Sequence, residues 1–299
     1  MEIPGLFIVT DSLIVVNNPF SSENVLDFFD KQSGKYLFSG AKKGKGPNEI
    51  LSSSNLDYKD DRIQVLDPNL KKYLSYKIDI KNSTVIPKVT SYNQLEPLIT
   101  KIIQIEPYKF VTDSYLNGKL FMITNLTNTK CEYFGTIPIE ESEKITNIND
   151  RFQGSLKASP SGLYFAFGAF STPYLCLYST QDGLPYKKFE LFVTKPEYNI
   201  SNHKLIWADG NITGFMDIAI SDNRIYALHS SLRKKDIKGR SITNLPKTIY
   251  EFDLEGKAIC KYEAENYLIR ITCDNNGKLF AIIYDDKDKE YKVVELLLD

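Results

Sequence analysis

Apolar and polar residues alternate along this chain in short runs, each ended by a turn-forming residue, and no long stretch keeps the period of an amphipathic helix. Residues 6–17 read LFIVTDSLIVVN, an apolar run, a polar break and a second apolar run. The form returns at 55–67 (NLDYKDDRIQVLD), 102–112 (IIQIEPYKFVT), 156–168 (LKASPSGLYFAFG), 216–229 (MDIAISDNRIYALH) and 269–283 (IRITCDNNGKLFAII). Each predicts a β-hairpin, and the turns recur roughly every 50 residues, near the period of propeller blades. A second kind of hairpin lies between them, as in VLDFFDKQSGKYLFSG at 25–40 and IYEFDLEGKAICKYEAE at 249–265. Asn, Asp and Gly supply the positive φ of its turns, and Val, Ile, Tyr and Phe fill its flanks.

Two hairpins per repeat make four strands, and six repeats predict an all-β, six-bladed β-propeller of four-stranded antiparallel blades, one domain spanning 1–299. The first strand of each repeat is expected to be innermost. After the sixth repeat only KEYKVVELLLD remains, so the last blade is expected to be incomplete. Only MEIPG precedes the first strand, and it is expected either to close the ring poorly or to be the remnant of a longer N-terminus.

Composition narrows the functions. Lys and Arg total 37 against 38 Asp and Glu, a net charge of −1 that gives no electrostatic case for nucleic acid or an anionic membrane. No apolar run approaches the length of a membrane helix, and no export signal is visible at the N-terminus. Two histidines, His203 and His229, and four scattered cysteines leave no metal set, so no metal or other cofactor is expected. The cysteines read as free thiols, with Cys260–Cys273 the pairing to check.

The stretch GAKKGKGPNEI at 40–50 has the look of a phosphate loop but fails as one. Lys45 stands where the second glycine of a G-x-x-x-x-G-K loop belongs, Pro47 removes an amide donor, and the following residues read as a strand. It reads as a blade-to-blade crossing, in which Glu49 accepts from amides of the neighbouring blade. With RFQGSLKASPSGLYFAFG at 151–168 and GFMDIAISDNRIYALHS at 214–230, this GKGPNE segment resembles the TolB-like six-bladed propellers of Gram-negative gut bacteria. The resemblance implies the propeller fold and a periplasmic or cell-surface location, although neither a leader nor a lipobox cysteine stands at this N-terminus.

Two long insertions are the natural places for a binding site. Residues 194–214 carry Tyr198, His203 and the sole tryptophan, Trp207. Residues 230–247 carry Arg233, Lys234, Lys235, Lys238 and Arg240. In a propeller both leave the same face beside the fifth blade. Trp207 reads as a cap over a blade edge or as a stacking platform, and the basic run as a solvated loop or a rim for an acidic ligand. Polar residues within apolar strands, Asn55, Asp57, Gln104, Lys157, Asp217, Arg270 and Thr272, are expected to line a central channel. Asp217 and Arg270, on adjacent repeats, read as an ion pair or a ligand anchor.

The expected function is therefore a non-catalytic, monomeric binding scaffold for a protein, peptide or glycan. The alternative is a hydrolase or lactonase-like enzyme at the channel mouth; two histidines offer little for an activated nucleophile, and no sialidase-type turn occurs.

Overall fold

The computed structural model describes residues 4–91, 99–126, 131–181, 184–239 and 241–298. Among the described residues, six antiparallel sheets of three or four strands follow one another along the chain, the first five of four strands and the last of three, and a separate two-stranded hairpin stands between the fourth and the fifth. The six sheets are the blades of a six-bladed β-propeller fold. The chain divides into two compact units, residues 1–113 with 122–132, and residues 114–121 with 133–299.

In the first unit, β1 (Phe7–Val9), β2 (Leu13–Asn17), β3 (Asn24–Asp30) and β4 (Tyr36–Lys42) make the first sheet, each strand paired with the next. The second is β5 (Asn55–Lys59), β6 (Arg62–Asp67), β7 (Lys72–Asp79) and β8 (Thr84–Ser91). Val15, Leu26, Phe28, Leu56, Ile63, Val65 and Leu74 interdigitate between these two sheets, all fully or almost fully buried. The fourth strand takes the edge. β8 alternates exposed and half-buried positions, and Pro87, which has no N–H to give a further strand, sits on it. Gly5 and Leu6 prolong β1, with Gly5 N donating to Asn17 O (2.9 Å) and Asn17 N to Leu6 O (2.8 Å). Of MEIPG, Gly5 is thus bonded to the end of β2.

The third sheet is β9 (Ile102–Glu106), β10 (Lys109–Asp113), β11 (Lys119–Thr124) and β12 (Cys131–Thr136). Leu66, Tyr73, Ile102, Phe110 and Met122 form the apolar cluster beside it in the first unit. Two buried aspartates, each ending the second strand of its sheet, tie down the segment that enters the first strand. Asp67 accepts from Leu51 N (2.6 Å) and Ser52 N (3.2 Å). Asp113 accepts from Thr100 N and Lys101 N (both 2.8 Å) and from the Thr100 hydroxyl. Burial pushes the Asp113 carboxyl up, and those donors offset part of the rise.

In the second unit, β13 (Gly154–Ala158), β14 (Tyr164–Ala169), β15 (Tyr174–Ser179) and β16 (Tyr186–Phe192) form the fourth sheet. A hairpin, β17 (Tyr198–Ser201) and β18 (Lys204–Trp207), precedes the fifth, which is β19 (Phe215–Ile220), β20 (Ile225–His229), β21 (Thr248–Phe252) and β22 (Ala258–Glu263). β23 (Tyr267–Cys273), β24 (Leu279–Asp285) and β25 (Glu290–Glu295) complete the sixth. Phe121, Phe134, Phe165 and Tyr178 pack edge-to-face, tilted or in parallel with centroids 5.2–6.2 Å apart. All four cysteines are free, so the Cys260–Cys273 pairing does not form. Among the described residues the one α-helix is α1 (Ile148–Arg151), and no helix is long and apolar enough to cross a membrane.

The 40–50 loop closes on itself. Glu49 Oε2 accepts from Gly46 N (2.8 Å), its other oxygen meets Lys42 Nζ (3.1 Å), and Gly44 N donates to Ile50 O (2.9 Å). Glu49 therefore serves its own loop, where an amide of the neighbouring blade had been expected. A Cβ on Gly44 would stand 2.0 Å from Glu49 Oε2, so a side chain there would push the carboxylate off its partners in the loop.

Candidate functional site

The insertion at 194–214 is an ordered hairpin. Its chain reverses through Asn202 and His203, both at positive φ (49° and 57°), as a two-residue hairpin turn requires. Alternation along β17 and β18 then gives two faces. Tyr198, Ile200, Leu205 and Trp207 form one, and Asn199, Ser201, Lys204 and Ile206 the other.

The first face packs on the connector that carries α1. Trp207 is 5% exposed, its indole N–H donates to Arg151 O (3.1 Å), and its ring meets Tyr198 edge-on at 5.9 Å. Asn147 exchanges two hydrogen bonds with the Leu205 backbone, at 2.9 and 3.2 Å. His203 contributes its carbonyl, which accepts from Thr146 N (2.8 Å) and Thr146 Oγ1 (3.1 Å). Tyr198 and Trp207 thus meet at the base of the hairpin with the indole covered, while His203 holds its tip through the carbonyl.

The second insertion is laced to the first. Thr213 N donates to Leu232 O (2.8 Å), Lys234 N to Asn211 O (2.9 Å) and Lys235 N to Asp209 O (3.1 Å). Lys234 Nζ caps the Trp207 carbonyl (2.5 Å) and reaches Asp209 (3.5 Å). Asn211, almost fully buried, holds the junction by donating to Ser171 O (2.7 Å) and accepting from Glu197 N (3.0 Å). The outcome is a platform on which Arg233, Lys235 and Lys238 are exposed, and among the described residues none of the three enters an ion pair. Ile206 and Ile237 are exposed on the same two insertions. Arg240 lies outside the described residues.

Asp217 and Arg270 are not an ion pair. Asp217, 3% exposed, accepts from Ser155 Oγ (2.8 Å), Ile218 N (3.0 Å) and Ile271 N (3.2 Å), while Arg270 donates to Ile269 O (3.0 Å). The carboxylate ties β13, β19 and β23 together through short donors, and the guanidinium turns away. His229 lies 2.6 Å from Ser231 Oγ, between Phe215 and Tyr250. Burial pulls its pKa down to about 4, which makes it a poor base for the serine. Among the described residues no group of three or more His, Cys, Asp or Glu could hold a metal.

A second feature lies in the first unit and had no place in the sequence reading beyond Gln104. A cleft of about 400 Å³ opens between the second and third sheets. Gln64 donates to Gln104 (2.5 Å) and Gln104 to Asp60 (3.2 Å) along one wall. Arg62 is fixed by Ser75, through Nε to Oγ (2.5 Å) and through Nη2 to the carbonyl (2.6 Å). Tyr108 stands at the rim, 71% exposed and at φ 62°. The tetrapeptide EPYK was the available signal, because Pro-Tyr in a two-residue turn puts tyrosine where a turn of this type takes glycine.

Solved structures of low identity share the fold. The RRP9 WD40 repeats align with a TM-score of 0.55 at 10% identity, covering 93% of this chain and 86% of that one. A protein of Bacteroides fragilis aligns at 0.51 with 12% identity, covering 97% and 70%. The Neurospora crassa Pan2 WD40 domain aligns at 0.50 with 11% identity, covering 98% and 79%. At such identities the likeness is one of fold alone. No curated protein matches the sequence. The family described as TolB-like 6-blade propeller-like matches residues 1–276, with the GKGPNE crossing and the first five of the repeated hairpins inside that span, and the chain belongs to this family.

Proposed function

We propose that this propeller is a non-catalytic interaction scaffold that binds an acidic segment of a protein partner through the platform of residues 194–214 and 230–247. The observation that carries the reading is the platform itself. Two insertions of 21 and 18 residues, longer than a blade connection needs, are held by backbone hydrogen bonds and by the Trp207 anchor, and they present Arg233, Lys235 and Lys238 without carboxylate partners among the described residues. A locked surface loses little conformational entropy on binding. Exposed Ile206 and Ile237 supply apolar contact beside the charges.

The test is binding of a fluorescent polyglutamate peptide, with a sulfated glycan as the parallel arm. Arg233→Ala/Lys235→Ala/Lys238→Ala removes three exposed charges worth about 0.5 kcal/mol each, so affinity for the peptide should fall about tenfold and its salt dependence should flatten. Unchanged binding in the triple variant, or preference for the glycan, defeats the reading.

A further inference from the structure

The cleft between the second and third sheets has the chemistry of a small-ligand site, independent of the platform. Its volume of about 400 Å³ lies within the range of small-molecule pockets. Three features point to the class of ligand.

The first is an arginine held ready without an anion. Ser75 takes Nε and Nη2 of Arg62, Nη2 also donates to Ile86 O (3.4 Å), and together these fix the plane of the guanidinium, while Nη1 has no partner among the described residues. No carboxylate pairs with Arg62 among those residues, although the chain as a whole carries one more acid than base. Lys88 lies on the neighbouring wall, also without an ion pair among the described residues. The sole acidic side chain of the lining, Asp60, accepts from Gln104. A half-buried guanidinium with one free edge suits a carboxylate, which it meets through directed N–H donors.

The second is the strained display of Tyr108. A non-glycine residue in the left-handed region is strained, and a bulky aromatic at a turn tip gains little from packing when it is 71% exposed. Strain kept at such a place, on the rim of a cleft, is the expected mark of a ring used for contact. The third is the wall itself. Phe110, Leu126 and the Tyr73 ring line the cleft, and the Tyr73 hydroxyl is buried with no hydrogen-bond partner among the described residues. An inorganic anion would leave most of this space empty and its apolar lining unused.

We propose that this cleft binds a small organic carboxylate, with the carboxylate on Arg62 and Lys88 and a flat carbon body against Tyr108. The shared chemistry fits a sugar acid or an aromatic acid, and matched pairs separate these sources from each other and from a bare anion site. Isothermal titration of the full chain compares glucuronate with glucose, indole-3-acetate with indole-3-ethanol, and inorganic phosphate alone. At least one acid should bind with a Kd of about 1 mM or tighter, and its neutral partner at least tenfold more weakly. Arg62→Gln should weaken that acid at least tenfold. Arg62 also ties β7 through Ser75, so Lys88→Gln, on the exposed edge strand, and Tyr108→Gly are the variants that keep the fold, and each should weaken it severalfold. The proposal is overturned if neither acid binds, if the neutral partner binds equally well, if phosphate binds as tightly as the acid, or if Lys88→Gln and Tyr108→Gly both bind as the wild type does.

Discussion

Single residues in this protein divide by whether the side chain or the backbone sets the choice. Trp207 is a side-chain case. Its indole fills the space between the hairpin and the α1 connector and donates to Arg151 O. Trp207→Ala should cost the hairpin about 3–5 kcal/mol, the range for removing a large buried aromatic. Because the hairpin lies outside the sheets, the loss should be local, seen as faster proteolytic cleavage at Lys204 with the sheet signal in circular dichroism retained. Tyr108 is a backbone case. Tyr108→Gly removes a left-handed strain of order 1 kcal/mol and should raise the urea midpoint of unfolding, even as it strips the cleft of its ring.

At the scale of elements, buried polar groups decide how strands are entered and left. Asp113 satisfies the amides of Thr100 and Lys101 just before β9. Asp113→Ala leaves two amides unpaired at a buried crossing, so a loss of about 2–4 kcal/mol is expected, with Asp113→Asn losing less because one acceptor survives. β20 ends in His229, whose buried ring is held neutral with a pKa of about 4. Burial is the main cause, Lys261 adds to it, and Glu263 opposes it. A depressed histidine contributes stability that is fully present above its unfolded value near 6.5 and is lost as pH falls toward 4. Unfolding free energy should therefore drop by an amount of order 3 kcal/mol across that window, and His229→Phe should remove most of the drop. Equal pH profiles for the two proteins would show that other groups govern acid unfolding.

At the scale of the whole molecule, the charges are many and mutually weak. Most ion pairs join exposed lysines to exposed carboxylates, as in Lys144–Glu141, Lys261–Glu263 and Lys289–Asp286. Arg224–Glu251 (2.9 Å), where Tyr262 also donates to the largely buried carboxylate (2.6 Å), is the better-protected pair. Surface pairs of this kind contribute little, so raising salt from about 0.05 to 0.5 M should change unfolding free energy by less than about 1 kcal/mol. The stabilising terms are apolar burial and the internal capture of backbone amides, neither of which salt screens. The same screening should strongly affect an acidic ligand on the platform, which separates binding from stability in one experiment.

The sequence by itself determined the blades. Each strand pairs with its neighbour along the chain, so local alternation and turn chemistry specify every hairpin without knowledge of distant residues, and runs such as LFIVTDSLIVVN are self-contained instructions. β17 and β18 are four residues each, too short an alternation to stand out from the insertion that carries them. What tertiary structure alone decided is the environment of each polar or aromatic group. Whether Trp207 faces solvent or Arg151 O, whether Asp217 meets Arg270 or Ser155 and Ile271, and whether Arg62 opens onto a cleft all depend on side chains brought from 40 to 60 residues away. Burial, and with it the cost of an unpaired charge or a stranded hydroxyl, is a property of those distant neighbours, so no local pattern can encode it.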